Sequence, residues 1–141
     1  MSIRVLLADN HKFMRDGLRA LIEEQPGMEV IAVAENGYGA VRLARDLKPD
    51  VVVMDIHMPE LNGIDATYQI VAELPNVRVI GLSVHSERHY VVAILRAGAL
   101  GYLLKDCAYE ELAQAIRSVA KNQTYLSCKV AEADMRSRWE Y

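Results

Sequence analysis

The sequence predicts a doubly wound α/β domain, and three observations carry that reading. Short apolar runs rich in β-branched residues alternate with longer segments whose apolar residues recur at helical spacing. Proline and glycine fall between helices and the strands that follow them. Polar residues able to do chemistry stand just past the carboxyl ends of four of the apolar runs, where open parallel sheets hold their ligands.

The strand candidates are 3–8, 30–34, 51–54, 77–82 and 101–104. They are apolar almost throughout, as suits strands covered on both faces. Between them, Phe13, Leu18, Leu21 and Ile22 mark a first helix, and Ala40, Val41, Leu43, Ala44 and Leu47 a second. Ile64, Tyr68, Ile70, Val71 and Leu74 mark the third, and Val91, Val92, Ile94 and Leu95 the fourth. Leu112, Ala113, Ile116, Val119 and Ala120 mark the fifth. Pro26-Gly27, Pro49-Asp50 and Pro75-Asn76 separate helices from strands, and Gly98 follows helix four. Past Asn122 the pattern loosens, and residues 123–141 read as a linker or short C-terminal helix.

The chain has 141 residues, 52% of them hydrophobic and 25% charged, an ordinary globular composition that excludes disorder and disulfide-rich scaffolds. A net charge of -3 gives no field that would draw the chain itself to nucleic acid or an anionic membrane. Cys107 and Cys128 lack metal-ligand spacing and read as reduced thiols. No apolar run reaches the roughly 18 residues of a membrane span, and the start resembles no signal peptide. The expectation is a cytoplasmic domain.

Asp9 and Asn10 follow strand one, Asp55 ends strand three, Ser83 ends strand four and Lys105 follows strand five. An oxygen-rich set of this kind suits Mg²⁺, which keeps several waters and favours a phosphate partner. A lysine and a serine beside it can hold phosphoryl oxygens as charge develops. A carboxylate there can accept a phosphoryl group as a nucleophile. The constellation reads as metal-assisted phosphoryl transfer onto an aspartate.

The stretches LLADNH at 6–11, VVVMDIHMPELNGID at 51–65, GLSVHSE at 81–87 and RAGALGYLLKD at 96–106 carry a family likeness. The chain resembles a response-regulator receiver domain of two-component signalling, of the NarL/FixJ (LuxR-type) group, over residues 3–122. The resemblance implies a flavodoxin-like (CheY-like) five-stranded parallel sheet in order 2-1-3-4-5. Helices one and five would share one face, and helices two, three and four the other. It implies that Asp55 is the phosphoacceptor. Mg²⁺ (or Mn²⁺) would be held by Asp9, Asn10, Asp55 and the backbone carbonyl of His57. Ser83 would be the hydroxyl that follows the phosphoryl group, Lys105 the ammonium, and Tyr102 the switch aromatic that turns inward. Pro59 and Gly63 would shape the loop after Asp55. A histidine kinase would supply the phosphoryl group, and a homodimer is among the expected partners.

Asn10 stands where the family usually has an aspartate, which removes a negative charge and implies weaker metal binding. NarL/FixJ proteins continue into a helix-turn-helix domain. Here TYLSCKVAEA at 124–133 resembles the start of a linker, so the chain is either part of a longer transcriptional regulator or a stand-alone receiver. Two other classes stay open. An aspartyl-nucleophile phosphatase would need a second Asp two residues after the first, where His57 stands. A phosphorylation-independent interaction module would treat Asn10 as decay of the site. His85 and His89 read as solvated, Met14, Met28, Met54 and Met58 as packing, and Trp139 as remote from the site.

Overall fold

β1 (Ile3–Ala8), β2 (Met28–Ala34), β3 (Val51–Asp55), β4 (Arg78–Ser83) and β5 (Gly101–Leu104) form a parallel sheet in order β2-β1-β3-β4-β5. These come from a computed structural model that describes residues 2–85 and 87–127. The helices are α1 (Lys12–Glu24), α2 (Gly37–Leu47), α3 (Gly63–Glu73), α4 (Arg88–Arg96) and α5 (Ala108–Ala120).

Strand alternation sends successive side chains to opposite faces and builds two cores. Val5, Leu7, Val51, Val53, Ile80 and Leu82 face α1 and α5, meeting Leu18, Ile22, Leu112, Ile116 and Val119. Leu6, Ala8, Val52, Met54 and Val79 face α2, α3 and α4, meeting Val41, Ala44, Ile70, Val91 and Ile94. The helices therefore divide between the faces as expected. Asn36 and Asn62 start α2 and α3 by accepting from Gly39 N and Asp65 N, the side-chain caps that orphan helical amides need.

One expectation changes. The sheet has a sixth strand, β6 (Tyr125–Leu126), parallel to β5 on its outer edge. Ser127 N donates to Tyr102 O at 3.0 Å, and Leu104 N donates to Ser127 Oγ at 3.1 Å. Part of the stretch read as a linker thus satisfies an edge that β5 would otherwise leave open. Phe13, which marked the first helix, lies in α1 but is 90% exposed, because its position in the first turn points it away from the sheet. Tyr68 is likewise exposed. Cys128 and Trp139 lie outside the described residues. Met28, Met54 and Met58 are buried and Met14 packs against the α1–α5 core, as their reading as packing requires.

Candidate functional site

Each site residue sits where a strand stops. Asp9 N still donates to Ala34 O at 3.0 Å, so the β1–β2 ladder carries Asp9 to the rim before the chain turns into α1. Arg15, on the first turns of α1 and itself buried, donates to Asp9 O at 2.9 Å and pins that turn. β3 delivers Asp55 between β1 and β4. Gly63 then lets the returning chain pass close by: a Cβ there would stand 2.2 Å from Asp55 O, so no larger residue fits without moving the backbone. β5 hands Lys105 to the same rim through a short 3₁₀ turn.

Asp9 and Asp55 are fully buried, and Lys105 is 9% exposed. Lys105 Nζ donates to Asp55 Oδ2 at 3.0 Å and stands 3.4 Å from Asp9 Oδ2. One ammonium therefore faces two buried carboxylates. Asp55 Oδ1 accepts from His57 N at 3.0 Å. Burial raises the Asp55 pKa above the ordinary carboxylate value. The His57 amide and Lys105 oppose the rise, while the neighbouring Asp9 charge adds to it.

Asp9 Oδ2 is buried and accepts no hydrogen bond. With Asp55 across the pocket and the His57 carbonyl beside it, the donors are mainly oxygens, which fits a hard divalent cation. Asn10 lies at the same place. Hydrogen bonding is satisfied when its amide nitrogen faces inward, 3.2 Å from Asp55 Oδ2 and 3.3 Å from His57 O. His11 joins the group as well, its Nδ1 3.2 Å from Asp9 Oδ1 and 3.7 Å from Asp55 Oδ2.

The other side of the rim is neutral. Ser83 is fully buried, and its Oγ accepts from His85 N at 3.0 Å. Tyr102 was expected to turn inward on activation. It is already fully buried, on a strand flanked by β4 and β6, with its hydroxyl donating to His85 O at 2.5 Å. The apolar face above α4 accounts for this, since a tyrosine in that row packs inward among Val91, Ile94 and Leu104. Burial raises its phenol pKa. His85 also stacks on Tyr90 with centroids 4.5 Å apart, and His57 meets both rings edge-on. His89 is exposed, as its solvated reading requires, while resting on Tyr90.

The structure thus brings Asp9, Asn10, Asp55, His57 and Lys105 into one pocket, with Ser83 at its edge and Tyr102 behind Ser83. Sequence reasoning passed over His11 and the His57–His85–Tyr90 rings. The signal for His11 was its place two residues after Asp9 in a strand-end loop, which allows a side chain to fold back.

Comparison with known proteins shows the family. Residues 5–117 match the model of the response regulator receiver domain. The chain is 44% identical over 138 residues to the transcriptional regulatory protein MctR of Rhizobium johnstonii, covering 98% of this chain and 64% of that protein. It is 46% identical over 129 residues to LiaR of Bacillus subtilis, covering 92% and 61% respectively. The chain therefore spans less than two thirds of the length of these curated relatives. A LuxR-family two-component response regulator from Aurantimonas superposes with a TM-score of 0.93 at 34% identity, covering 98% of this chain and 99% of that one. The NarL receiver domain of Mycobacterium tuberculosis gives 0.83 at 31% identity, covering 86% and 98%. A family match over most of the sheet, joined to close likeness in both sequence and fold, means that the chain belongs to the response regulator receiver domain family, in its NarL/LuxR-type branch.

Proposed function

We propose that Asp55 is the phosphoacceptor of this receiver domain. The observation that carries the reading is a fully buried carboxylate at the end of the central strand, 3.0 Å from a lysine ammonium and facing a second buried aspartate. A carboxylate oxygen of Asp55 attacks the phosphorus of a phosphohistidine on a histidine kinase. The P–O bond forms as the P–N bond breaks, and the departing imidazole nitrogen recovers a proton. Lys105 withdraws charge from the transferring oxygens. Asp9, Asn10, Asp55 and the His57 carbonyl would hold the divalent cation, Mg²⁺ or Mn²⁺, which would neutralise phosphoryl charge when bound. The domain acts as a switch and not as an enzyme with an external substrate.

Readout runs through Ser83. Its hydroxyl now accepts from His85 N, and a phosphoryl group on Asp55 offers it a stronger, charged acceptor. Moving there breaks the contact with His85, the same residue whose carbonyl holds Tyr102. Tyr102 then changes partner from an already inward position. The face of α4, β5 and α5 reports the change as a weak, phosphorylation-enhanced homodimer, and the rest of a longer transcriptional regulator reads it. The receiver takes in residues 1–122 together with the edge strand β6.

Labelling with acetyl phosphate tests the chemistry. Label should require Mg²⁺ or Mn²⁺, vanish in Asp55→Asn and fall in Asp9→Asn. Full labelling of Asp55→Asn would overturn the assignment. Sustained turnover of para-nitrophenyl phosphate would instead favour a phosphatase. Sedimentation with and without beryllofluoride, repeated on Tyr102→Ala, tests the dimer, and an unchanged mass with the analogue bound removes it.

A further inference from the structure

We propose that β6 is a releasable latch: Ser127 docks the start of the C-terminal peptide on Tyr102 and Leu104 while Asp55 is unphosphorylated, and phosphorylation undocks it. The proposal rests on the reading of Asp55 as the phosphoacceptor, and it names what that site regulates within this chain.

After α5 the chain turns back to the sheet. Asn122 N donates to Val119 O and Gln123 N to Ser118 O, both at 2.9 Å, and Asn122 takes a left-handed φ of 64°. The returning peptide runs along β5, where Tyr125 N donates to Leu100 O at 3.1 Å. A Cβ on Gly101 would stand 3.2 Å from Tyr125 O, so glycine there lets the new strand come close. Ser127 N then donates to Tyr102 O at 3.0 Å, and Ser127 Oγ accepts from Leu104 N at 3.1 Å. In a continuing parallel ladder a backbone carbonyl would take that second bond. Here a fully buried hydroxyl takes it, so the ladder ends at Ser127 and a side chain closes it.

Both anchors of Ser127 lie beside the parts of the pocket that a phosphoryl group would move. Tyr102, whose carbonyl holds Ser127 N, is itself held by its hydroxyl on His85 O, and the amide of His85 is held by Ser83 Oγ. Leu104 directly precedes Lys105, which donates to Asp55 Oδ2 at 3.0 Å. Phosphorylation carries the acceptor oxygens further from the Asp55 backbone, and both Ser83 and Lys105 follow them. Each displacement therefore reaches β5 at, or next to, a residue that holds Ser127.

β6 is also built to give way. It has two residues, pairs with a strand on one side only, and keeps Tyr125 and Leu126 half-buried. So short an edge strand belongs to the low-stability end of a fold, where local opening needs little energy. The limited difference in phosphoryl contacts is then enough to shift it. Residues 128–141 follow directly on Ser127, so release of β6 unfixes the point from which that peptide starts.

The test compares amide exchange in the full chain, residue by residue by NMR, with and without beryllofluoride and Mg²⁺. With the analogue bound, Ser127 N and Leu104 N should exchange about tenfold faster, while Arg78 N, held by Asp50 O at the far end of the sheet, stays within about twofold. Linkage supplies a reciprocal signature: if the analogue releases β6, loosening β6 must tighten the analogue. Ser127→Ala, which removes only the Oγ acceptor, should tighten beryllofluoride binding about threefold to fivefold. Tyr125→Phe removes the bond from Tyr125 Oη to Glu111 Oε1 at 2.6 Å and should tighten it about twofold. Damage to the fold alone would weaken the analogue or leave it unchanged. Exchange at Ser127 and Leu104 that stays unchanged with the analogue bound overturns the latch. Analogue affinity that is unchanged or weaker in Ser127→Ala overturns it too, and Tyr125→Phe decides in the same way if Ser127→Ala does not fold. In either case acetyl phosphate label on Asp55 leaves the phosphoacceptor reading standing. Neither label nor bound analogue in wild type overturns that reading, and the latch with it.

Discussion

Over β1 and β3, the rim of the sheet is built from buried charges, Asp9 and Asp55 against Lys105. Over β4 and β5 it is built from the buried hydroxyls of Ser83 and Tyr102, with the rings stacked around His85 nearer the surface. The difference teaches how one pocket can be both fixed and movable. Charges taken out of water cost several kcal/mol each and can be displaced only when another charge replaces them. Neutral hydrogen bonds contribute about 1 kcal/mol each, so a new acceptor can redirect them without unfolding the rim. The charged half suits phosphoryl transfer, and the neutral half suits a readout driven by limited energy.

Breaking the charged half should give the largest effect. Lys105→Ala leaves two buried carboxylates without their common cation, and should cost about 3 kcal/mol at neutral pH. Chemical denaturation checks the value. The loss should shrink as pH falls, because Asp55, whose pKa is already raised, takes up a proton and ends the repulsion.

Asp55→Asn should have the opposite sign. The folded pKa of Asp55 lies above its unfolded value, so the folded protein holds this proton more tightly than the unfolded chain does. The favourable contribution of the protonated form is complete below the unfolded pKa and is lost as pH rises through the folded one. At neutral pH the ionised carboxylate is therefore a net burden, and its removal should stabilise the fold by about 1–2 kcal/mol. The gain should disappear as the solution is acidified through the carboxylate range. A variant less stable than wild type at neutral pH would show that the Lys105 pair outweighs burial.

How much of this contrast was legible beforehand depended on whether backbone or side-chain direction decided it. Asp9, Asp55, Ser83 and Lys105 could be placed because a parallel strand ends on the same rim whatever its neighbours do. The division of helices between faces followed the family resemblance, and the two apolar rows of the strands agree with it. Phe13 marked the helix but not its buried face, because a single aromatic near a helix start carries no face assignment of its own. That Tyr102 stands on an inner strand depended on β6, and a two-residue strand leaves almost no periodic signal. The His57, His85 and Tyr90 rings meet across two loops, so no spacing along the chain announces them. Which way the Asn10 amide faces is set by its neighbours, which residue type alone does not specify.

On the neutral half, Tyr102→Phe keeps the buried ring and removes only the bond to His85 O. It should cost about 1 kcal/mol and raise amide exchange in the loop between β4 and α4, read by hydrogen exchange. An unchanged exchange rate would mean that Ser83 alone holds the loop.

The smallest effect should come from His85→Ala, even though His85 touches more of the neutral half than any other residue described here. Its two latching bonds are made by backbone atoms, the amide to Ser83 and the carbonyl from Tyr102. Alanine keeps both. What it removes is the stack on Tyr90, the edge contact with His57 and a half-exposed pairing with Glu87 at 3.4 Å. A ring stack at the surface contributes about 0.5–1 kcal/mol, and the exposed pairing adds little. Stability should fall by about that amount, while exchange protection in the β4–α4 loop stays near wild type. The pair of variants then separates two origins for the latch. If Tyr102→Phe loosens the loop and His85→Ala does not, the latch lies in the backbone of residue 85 and the rings only cover it. If His85→Ala loosens the loop as much, the rings hold it, and redirecting Ser83 would not be enough to release Tyr102.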